Sequence, residues 1–375
     1  MKEIRVGVLG TGFMGKTHIF GYRSIPVYYE PDYKIKLTGV FSKTFANAQK
    51  AKELYDFEFA TDNEDDIFAR KDIDIINICT PDAFHRGQIL KALDAGKNIY
   101  CEKPLISAVQ SSAEILNHPN LKKVTTQTVF HNRFFASVLR AKQIIEEGRL
   151  GKILAFRGQF LLASNAKSAL QAGWRNDSEK SGGNGALYDI GSHICDMIYY
   201  LLGGFSKIYC KTMTPYKQRP DGKGGAVPYT IDDGAAMIAT LENGAVGTVE
   251  ATKLATGAAT NMMLEINGED GALIIDLTQP NWLYFYDNAL PDAKLGGYKG
   301  YTRIECIQNY DTPVMFPPGK HPVGWIRAHI HSLYNFVESV NTGAQTNPSL
   351  ADGLYIQSVL DRALKSSKEN REIEI

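Results

Sequence analysis

The chain has 375 residues, 44% of them hydrophobic and 22% charged, so it can form two packed domains and is neither disordered nor fibrous in composition. Lys plus Arg and Asp plus Glu both number 41, so the basic excess typical of proteins that bind nucleic acid or anionic membranes is missing. No apolar run approaches the roughly 18 residues of a membrane span, and the first residues reach glycine before an apolar signal core. We therefore expect a cytoplasmic protein without a membrane or nucleic-acid partner.

The cysteines argue against metal or disulfide chemistry. They number five, and no two have the C-x-x-C spacing of zinc and redox sites. His329 and His331 are two apart, which on a helix directs them to different faces. We expect reduced, mostly buried thiols and no metal site.

The first part of the chain alternates strand-like and helical patterns. Short apolar runs predict strands at 4–9, 35–40, 73–79, 98–101 and 124–129. The clearest helix is 85–95, with Gly96 where a left-handed cap belongs. Strands that alternate with helices pair in parallel through right-handed crossovers. Residues 1–130 are therefore predicted to form a doubly wound domain.

In the rest of the chain the order of elements is different, because strand-like runs follow one another with only turns between them. Runs 235–241 and 245–251 flank an Asn-Gly turn and predict a hairpin, and 262–266 with 272–277 predict a second. Further strands are predicted at 284–286 and 303–307, helices at 185–202, 326–340 and 350–365, and a mobile loop at 211–233. Residues 131–375 are thus predicted to form an α+β substrate-binding and oligomerisation domain, with the last two helices packed beside it. Its large, mostly antiparallel open sheet would be covered by helices on one face and by another subunit on the other, which predicts a homo-oligomer, either a dimer or a tetramer.

A glycine motif, Gly10-Thr-Gly12-Phe13-Met14-Gly15, follows the first predicted strand and opens a helix. In this context Gly10 permits a tight turn, Gly12 lets the backbone approach a pyrophosphate, and Gly15 lets helix and strand pack closely. The helix N-terminus offers free N–H groups to the anion. Glycines in tight turns can be purely structural, but the position between strand and helix favours a cofactor site that includes Phe13 and Met14. Residues 1–130 are therefore predicted to be a dinucleotide-binding Rossmann domain.

The second strand ends without an acidic residue, in Phe41-Ser42-Lys43. An acid at this place commonly binds the ribose 2'-hydroxyl of NAD. Ser42 and Lys43 would instead hydrogen-bond and neutralise a 2'-phosphate, so the cofactor is predicted to be NAD(P) with a slight lean to NADP. The alternative is a solvated lysine after a strand.

Polar residues follow two further strands. Thr80-Pro81 and His85 come after the strand at 73–79, and Glu102-Lys103-Pro104 comes after the strand at 98–101. Ligands of doubly wound sheets lie beyond the carboxyl ends of the strands, so we predict that these residues border the dinucleotide.

The second half supplies candidates for substrate binding. Asp189 and His193 are four apart, hence on one face of the helix predicted from residue 185. Trp174-Arg175 lies in a polar, glycine-bearing stretch, where an indole suits the C–H face of a sugar ring and a guanidinium its oxygens. Further candidates for lining the substrate cleft are His131, Asn132 and Arg133, which follow the last predicted strand of the first domain. Taken singly, a core histidine and a helix-start acid are the simpler interpretations of His193 and Asp189.

Together these motifs resemble the Gfo/Idh/MocA oxidoreductases over nearly the whole chain. The matching residues are Gly10 to Gly15, Thr80-Pro81 to His85, Glu102-Lys103-Pro104, Trp174-Arg175, Asp189 and His193. The resemblance implies that Lys103 is the catalytic lysine, that Asp189 and His193 are substrate-hydroxyl and proton-transfer partners, and that Glu102-Lys103-Pro104 lies beside the nicotinamide. Ser42 departs from several NAD-using relatives, which have an acid there.

Chemistry gives an independent reason for these residue types. When a hydride leaves a carbinol carbon, the hydroxyl proton must also leave, and the reverse reaction must supply it. We therefore expect an NAD(P)-dependent oxidoreductase acting on a hydroxyl or carbonyl carbon of a sugar, anhydrosugar or polyol held between the domains, with Lys103 as general acid/base assisted by His193 and Asp189. Two alternatives stay open. They are an NAD-dependent glycosidase, and a non-catalytic NAD(P)-binding regulator, which would be expected to lack Lys103.

Overall fold

The structure is a computed structural model that describes residues 1–106, 112–170, 185–307 and 316–375. Its strands are β1 Lys2–Leu9, β2 Tyr33–Phe41, β3 Phe59–Thr61, β4 Ile75–Ile78, β5 Asn98–Cys101, β6 Thr126–Thr128, β7 Ile153–Leu161, β8 Phe205–Met213, β9 Gln218–Pro220, β10 Ala226–Pro228, β11 Gly234–Leu241, β12 Val246–Thr252, β13 Asn261–Gly268, β14 Gly271–Asp276, β15 Trp282–Asp287, β16 Tyr301–Glu305 and β17 Ile373–Glu374. Its helices are α1 Phe13–Tyr29, α2 Phe45–Tyr55, α3 Asp65–Phe68, α4 His85–Asp94, α5 Ser112–Leu116, α6 Ala136–Glu146, α7 Ala186–Asp189, α8 Gly191–Leu202, α9 Trp325–Thr342 and α10 Leu350–Glu369. Within the described ranges, no helix combines the length and the apolar character that crossing a bilayer requires.

The chain forms two compact units. The first is built mainly from Met1–His131 and Trp325–Tyr355, and the second from the described parts of Asn132–Asp311 together with Ile356–Ile375. Helix α10 is therefore divided between them, with its first residues in the first unit and the remainder in the second.

The first unit contains a parallel six-stranded sheet in the order β3-β2-β1-β4-β5-β6. This confirms the predicted doubly wound fold, and all five predicted strands are present. Strand β3 was not predicted because three residues are too few to show a pattern. Since β1 lies between β2 and β4, the strand order reverses there, and such a switch point is where doubly wound sheets bind ligands. Gly96 has φ +64°, so the predicted left-handed cap after α4 is also confirmed.

Helix α9 belongs to the first unit, so the prediction that both C-terminal helices pack beside the second domain is wrong for α9. A Cβ on Gly21 of α1 would lie 2.8 Å from a Leu333 methyl, which shows how closely α1 and α9 approach. The apolar stripe of α9 joins the core that contains β1 and α1; its buried members are Ile330, Leu333, Phe336 and Val337. Helical periodicity reveals such a stripe but not which sheet it covers.

The second unit contains a nine-stranded sheet in the order β16-β15-β14-β13-β7-β12-β11-β8-β17. Strands β7 and β12 are parallel, and the other neighbours are antiparallel. Both predicted hairpins form, as β11–β12 with Gly244 at φ +87° and as β13–β14. Helix α8 covers one face, where a Cβ on Gly158 would lie 2.8 Å from Ile194. The predicted large, mostly antiparallel sheet is thus confirmed.

Two local predictions in this unit are wrong. The helix expected over 185–202 is two helices, α7 and α8, which are separated at Ile190, where φ widens to −112° at a ψ of −28° although the backbone stays in the right-handed helical region. The loop expected at 211–233 contains the β9–β10 pair and a fully buried ion pair, Arg219 to Asp233 at 3.2 Å. The Arg219 guanidinium also lies over the rings of Tyr216 and Tyr229. Contacts between residues distant in sequence stabilise this segment, and a periodicity argument does not detect them.

Candidate active site

The glycine motif forms a tight turn between β1 and α1. Gly10 has φ +101°, and a Cβ there would lie 2.6 Å from the Cys79 carbonyl oxygen. A Cβ on Gly15 would lie 2.2 Å from the Gly10 oxygen, whereas a Cβ on Gly12 would meet no atom of the described residues within 4 Å beyond its own chain neighbours. Gly10 and Gly15 therefore allow the turn to close, and the backbone at Gly12 is open to a ligand.

The N-terminus of α1 is suited to an anion. Its N-cap residue is Gly12, which has no side chain to cap the helix, and the first turn carries no acidic residue. Lys16 donates its backbone N–H to the Gly12 oxygen at 3.0 Å, so the amides before Lys16 belong to the helix end whose donors have no helical partner. Open space at Gly12 and unused donors beside it fit the pyrophosphate of a dinucleotide.

Two residues in this turn differ in exposure. Phe13 is 69% exposed and stacks on Trp325 with ring centroids 5.6 Å apart, whereas Met14 is half-buried. Trp325 begins α9, and the sequence analysis did not identify it, because its proximity to the turn depends on α9 packing in the first unit.

Ser42 and Lys43 follow β2 at the same edge of the sheet. Ser42 is half-buried and donates its backbone N–H to the Thr61 oxygen at 3.2 Å, whereas Lys43 is exposed. The Ser42 hydroxyl and the Lys43 ammonium are groups that bind phosphate.

His85 is a buried link between two loops. Its Nδ1 lies 2.9 Å from the Pro104 oxygen and its Nε2 lies 2.8 Å from the Thr80 oxygen. Thr80 and Pro81 are half-buried, and the Thr80 hydroxyl donates to Gln88 at 2.6 Å. The imidazole, predicted to bind cofactor, thus ties the loop after β4 to the loop after β5.

Glu102 and Lys103 leave the end of β5 in different environments. Glu102 is buried, and its Oε1 lies 3.2 Å from Nε2 of His18 on α1. Its Oε2 accepts the backbone N–H of Lys103 at 3.2 Å, and Lys103 itself is half-buried. Burial raises the pKa of Glu102, but the ion pair with His18 outweighs burial and holds that pKa below its usual value. Sequence reasoning missed His18, which lies on the buried face of α1 and has no local pattern to mark it.

In the second unit, Asp189 ends α7 and His193 lies in the first turn of α8, so the two are not on one continuous helix. Asp189 forms an ion pair with Lys253, 2.7 Å between Oδ2 and Nζ. Lys253 is 8% exposed and directly follows β12. His193 is buried, with its ring 5.9 Å from that of Phe160. Lys253 was also missed, and its place after a strand was the available clue.

A second carboxylate fixes the start of α7. The Leu187 N–H donates to Asp232 Oδ2 at 2.7 Å, and a Cβ on Gly185 would lie 2.2 Å from Asp232 Oδ1. Burial raises the pKa of Asp232 to about 6. The helix that carries Asp189 is therefore anchored to the segment before β11.

Trp174 and Arg175 lie outside the described residues. Arg133, a candidate for the cleft, is 2% exposed, and its Nε lies 2.9 Å from a carboxylate oxygen of Asp196. The Arg133 guanidinium therefore forms a buried ion pair, and its place in the substrate cleft stays a prediction. His131 is buried, with its ring stacked 3.7 Å from that of His329.

Both halves of the chain match families of known proteins. Residues 4–130 match the family described as "Oxidoreductase family, NAD-binding Rossmann fold", and residues 142–375 match "Oxidoreductase family, C-terminal alpha/beta domain", both Gfo/Idh/MocA families. Levoglucosan dehydrogenase of Pseudarthrobacter phenanthrenivorans is 29% identical over 391 residues, covering 100% of this chain and 99% of the relative. Inositol 2-dehydrogenase of Rhizobium meliloti is 24% identical, covering 99% of each. A solved structure of levoglucosan dehydrogenase with NADH and levoglucosan superposes with a TM-score of 0.94 at 28% identity, covering 100% of both chains.

Proposed function

The chain belongs to the Gfo/Idh/MocA oxidoreductase family, and we propose that it is an NAD(P)-dependent dehydrogenase or reductase of a sugar, anhydrosugar or polyol. The observation that carries the proposal is the common edge of the parallel sheet, where the open turn at Gly12 follows β1 and Glu102-Lys103 follows β5. Relatives named for dehydrogenation of levoglucosan, an anhydrosugar, and of inositol, a polyol, support this substrate class.

In this proposal the dinucleotide, when bound, exchanges hydride with the substrate carbon. The amides at the start of α1 bind its pyrophosphate. Lys103 accepts the hydroxyl proton during oxidation and returns it during reduction. Asp189 accepts a hydrogen bond from a substrate hydroxyl, and His193 assists proton transfer. Lys253, paired with Asp189 at 2.7 Å, orients that carboxylate and supplies its counter-charge.

The test begins with a panel of sugars, polyols and anhydrosugars, offered with NAD and NADP while absorbance of the reduced cofactor is followed. On a substrate that is turned over, Lys103→Ala should lower turnover roughly 100- to 10,000-fold with little change in cofactor affinity. Lys103→Arg is the matched variant, because it keeps a cation that does not release its proton near neutral pH. Normal turnover in either variant would remove Lys103 from the mechanism.

Cofactor preference is the finer part of the proposal. Ser42 and exposed Lys43 favour the 2'-phosphate of NADP, although the solved relative is described with NADH. We expect NADP to bind more tightly in a competition titration, and Lys43→Ala to weaken NADP more than NAD. Equal affinities in the wild type would contradict this preference.

Two observations would favour the alternatives. Release of nitrophenol from a nitrophenyl glycoside without net cofactor reduction would indicate a glycosidase. Dinucleotide binding without turnover across the panel would indicate a regulator. Lys103 favours an enzyme over a regulator.

The open face of the nine-stranded sheet supports an oligomer. Ile238 is 54% exposed, Val246 is 49% exposed and Tyr301 is 47% exposed, and the strand register directs all three to the same face. We propose that a second copy of the chain covers this face, giving a dimer or tetramer. A light-scattering mass of one chain at micromolar concentration would rule this out.

A further inference from the structure

A buried polar cluster lies beneath the loop that carries Lys103. His18 is 1% exposed, and its Nδ1 lies 3.1 Å from Asn77 Oδ1 and 3.0 Å from the Cys79 sulfur. Its Nε2 lies 3.2 Å from the Glu102 carboxylate, which in turn accepts the backbone N–H of Lys103. A continuous chain of contacts thus runs from helix α1 to the backbone of the proposed catalytic lysine.

We propose that His18 is a positioning residue, which holds Glu102 as a fixed anion and through it fixes the position and charge environment of Lys103. The inference rests on the proposed role of Lys103. In this proposal helix α1 has two functions. Its N-terminus, at the cofactor turn, binds the pyrophosphate, and the same helix carries the counter-charge of Glu102.

The electrostatics of the cluster single out His18 as the cation. Its ring faces Cys79, Glu102, the edge of Tyr100 and the ring of His329. Burial by itself lowers the pKa of His18, but Cys79 and Glu102 outweigh it and raise the pKa to about 10. His131 also acts on Glu102, yet burial lowers the pKa of His131 to about 3, so it stays neutral.

Loss of His18 has a specific consequence for Lys103. The next cation that acts on Glu102 is the ammonium of Lys103. A buried carboxylate without its partner attracts any available positive charge strongly, because the surroundings screen it little. In a His18→Asn variant, Glu102 therefore holds the Lys103 ammonium and its proton, and Lys103 loses its function as a base.

The first test measures Lys103 without substrate. Acetic anhydride acylates only deprotonated amines, and mass spectrometry gives the rate at Lys103 relative to exposed Lys43 in the same sample. Acetylation of Lys103 should be about tenfold slower in His18→Asn than in the wild type. The matched control is Tyr22→Phe, which removes a hydrogen bond to the same Asn77 from the same buried face of α1, whereas within the described ranges the Tyr22 hydroxyl makes no hydrogen bond to Glu102. Its rate should equal that of the wild type.

The second test uses turnover of levoglucosan with NAD and NADP, or of the panel sugar that is turned over. His18→Asn should lower kcat 10- to 100-fold, leave KM within threefold, and move the acidic limb of the kcat profile to higher pH. Glu102→Gln keeps an acceptor for the Lys103 N–H and removes the charge. Adding His18→Asn to the Glu102→Gln variant should lower kcat by a further factor of less than three. This comparison can be made even if the single variant His18→Asn fails to fold.

Unchanged acetylation and kcat in His18→Asn would overturn the inference, and so would a full, additive loss in the double variant. Failure of the proposed function is distinguishable, because Lys103→Ala would then retain turnover or the whole panel would be inactive. An inactive Lys103→Ala beside a fully active His18→Asn refutes only the role of His18.

Discussion

Gly12→Ala and Gly15→Ala add the same methyl group at two positions of one turn, and the structure predicts different outcomes for them. At Gly15 the new carbon would lie 2.2 Å from the Gly10 oxygen, more than 1 Å short of a van der Waals separation of about 3.5 Å. The helix must move away from the turn, and such overpacking costs about 1–3 kcal/mol. At about 2–4 °C per kcal/mol, Tm without cofactor should fall by roughly 5 °C.

At Gly12 the methyl group would enter open space, at a φ of −72° that alanine adopts without strain. Tm without cofactor should stay within about 1 °C of the wild type, since no protein atom is displaced. The methyl group would, however, occupy the approach of the pyrophosphate. The Kd of the reduced dinucleotide should therefore rise at least tenfold, equivalent to about 1.4 kcal/mol.

Thermal unfolding by circular dichroism gives the first quantity, and fluorescence of the reduced cofactor gives the second. Gly87→Ala is the control, because that glycine lies in α4 and, apart from the backbone of the helix itself and its chain neighbours, no atom of the described residues comes within 4 Å of its Cβ position. It should keep the wild-type Kd and gain slightly in Tm, since alanine favours helix. Wild-type affinity in Gly12→Ala would refute the assignment of this turn to the pyrophosphate.

Three further predictions concern the second unit. Lys253→Met should lower kcat about 10- to 100-fold at unchanged cofactor Kd, with partial recovery in Lys253→Arg, because the 2.7 Å ion pair to Asp189 is lost. Asp196→Ala should destabilise the fold by about 3–5 kcal/mol in urea unfolding, since buried Arg133 loses its counter-charge. Asp232→Asn should flatten the dependence of Tm on pH. Burial raises the native pKa of Asp232 from 3.8 to about 6, so its stabilising contribution is complete below pH 3.8 and is lost as pH rises through 6.

Each of these has an outcome that contradicts it. Full activity in Lys253→Met would show that Asp189 needs no buried cation. A stability loss in Asp196→Ala as small as that of a surface substitution would contradict the buried ion pair. For Asp232, the Tm of the wild type minus that of Asp232→Asn must increase as pH falls from 7 to 4, and a constant difference would contradict the raised pKa.

The sequence was most informative where structure is local. Five of the six strands of the parallel sheet, the cap at Gly96 and the Asn-Gly hairpin were predicted because hydrophobic period, turn chemistry and left-handed glycines operate over a few residues. Predictions were wrong where contacts with residues distant in sequence determine the local structure or packing. Helix α9 shows a clear apolar stripe but packs against α1, and the segment 211–233 is stabilised by buried Arg219 rather than left as a loop.

The same distinction applies to the proposed chemistry. Lys103 lies just after strand β5 and Asp189 ends helix α7, and that placement makes them visible as motif residues. The buried cations associated with them, His18 through Glu102 and Lys253 directly, come from other elements and have no motif of their own. A chain that kept the glycine turn and Glu102-Lys103 but lacked His18 would match the same pattern with an unpaired buried carboxylate beside its lysine. Motif matching assigns the reaction class, whereas the buried counter-charges determine whether the reactive groups hold the ionisation state that the reaction needs.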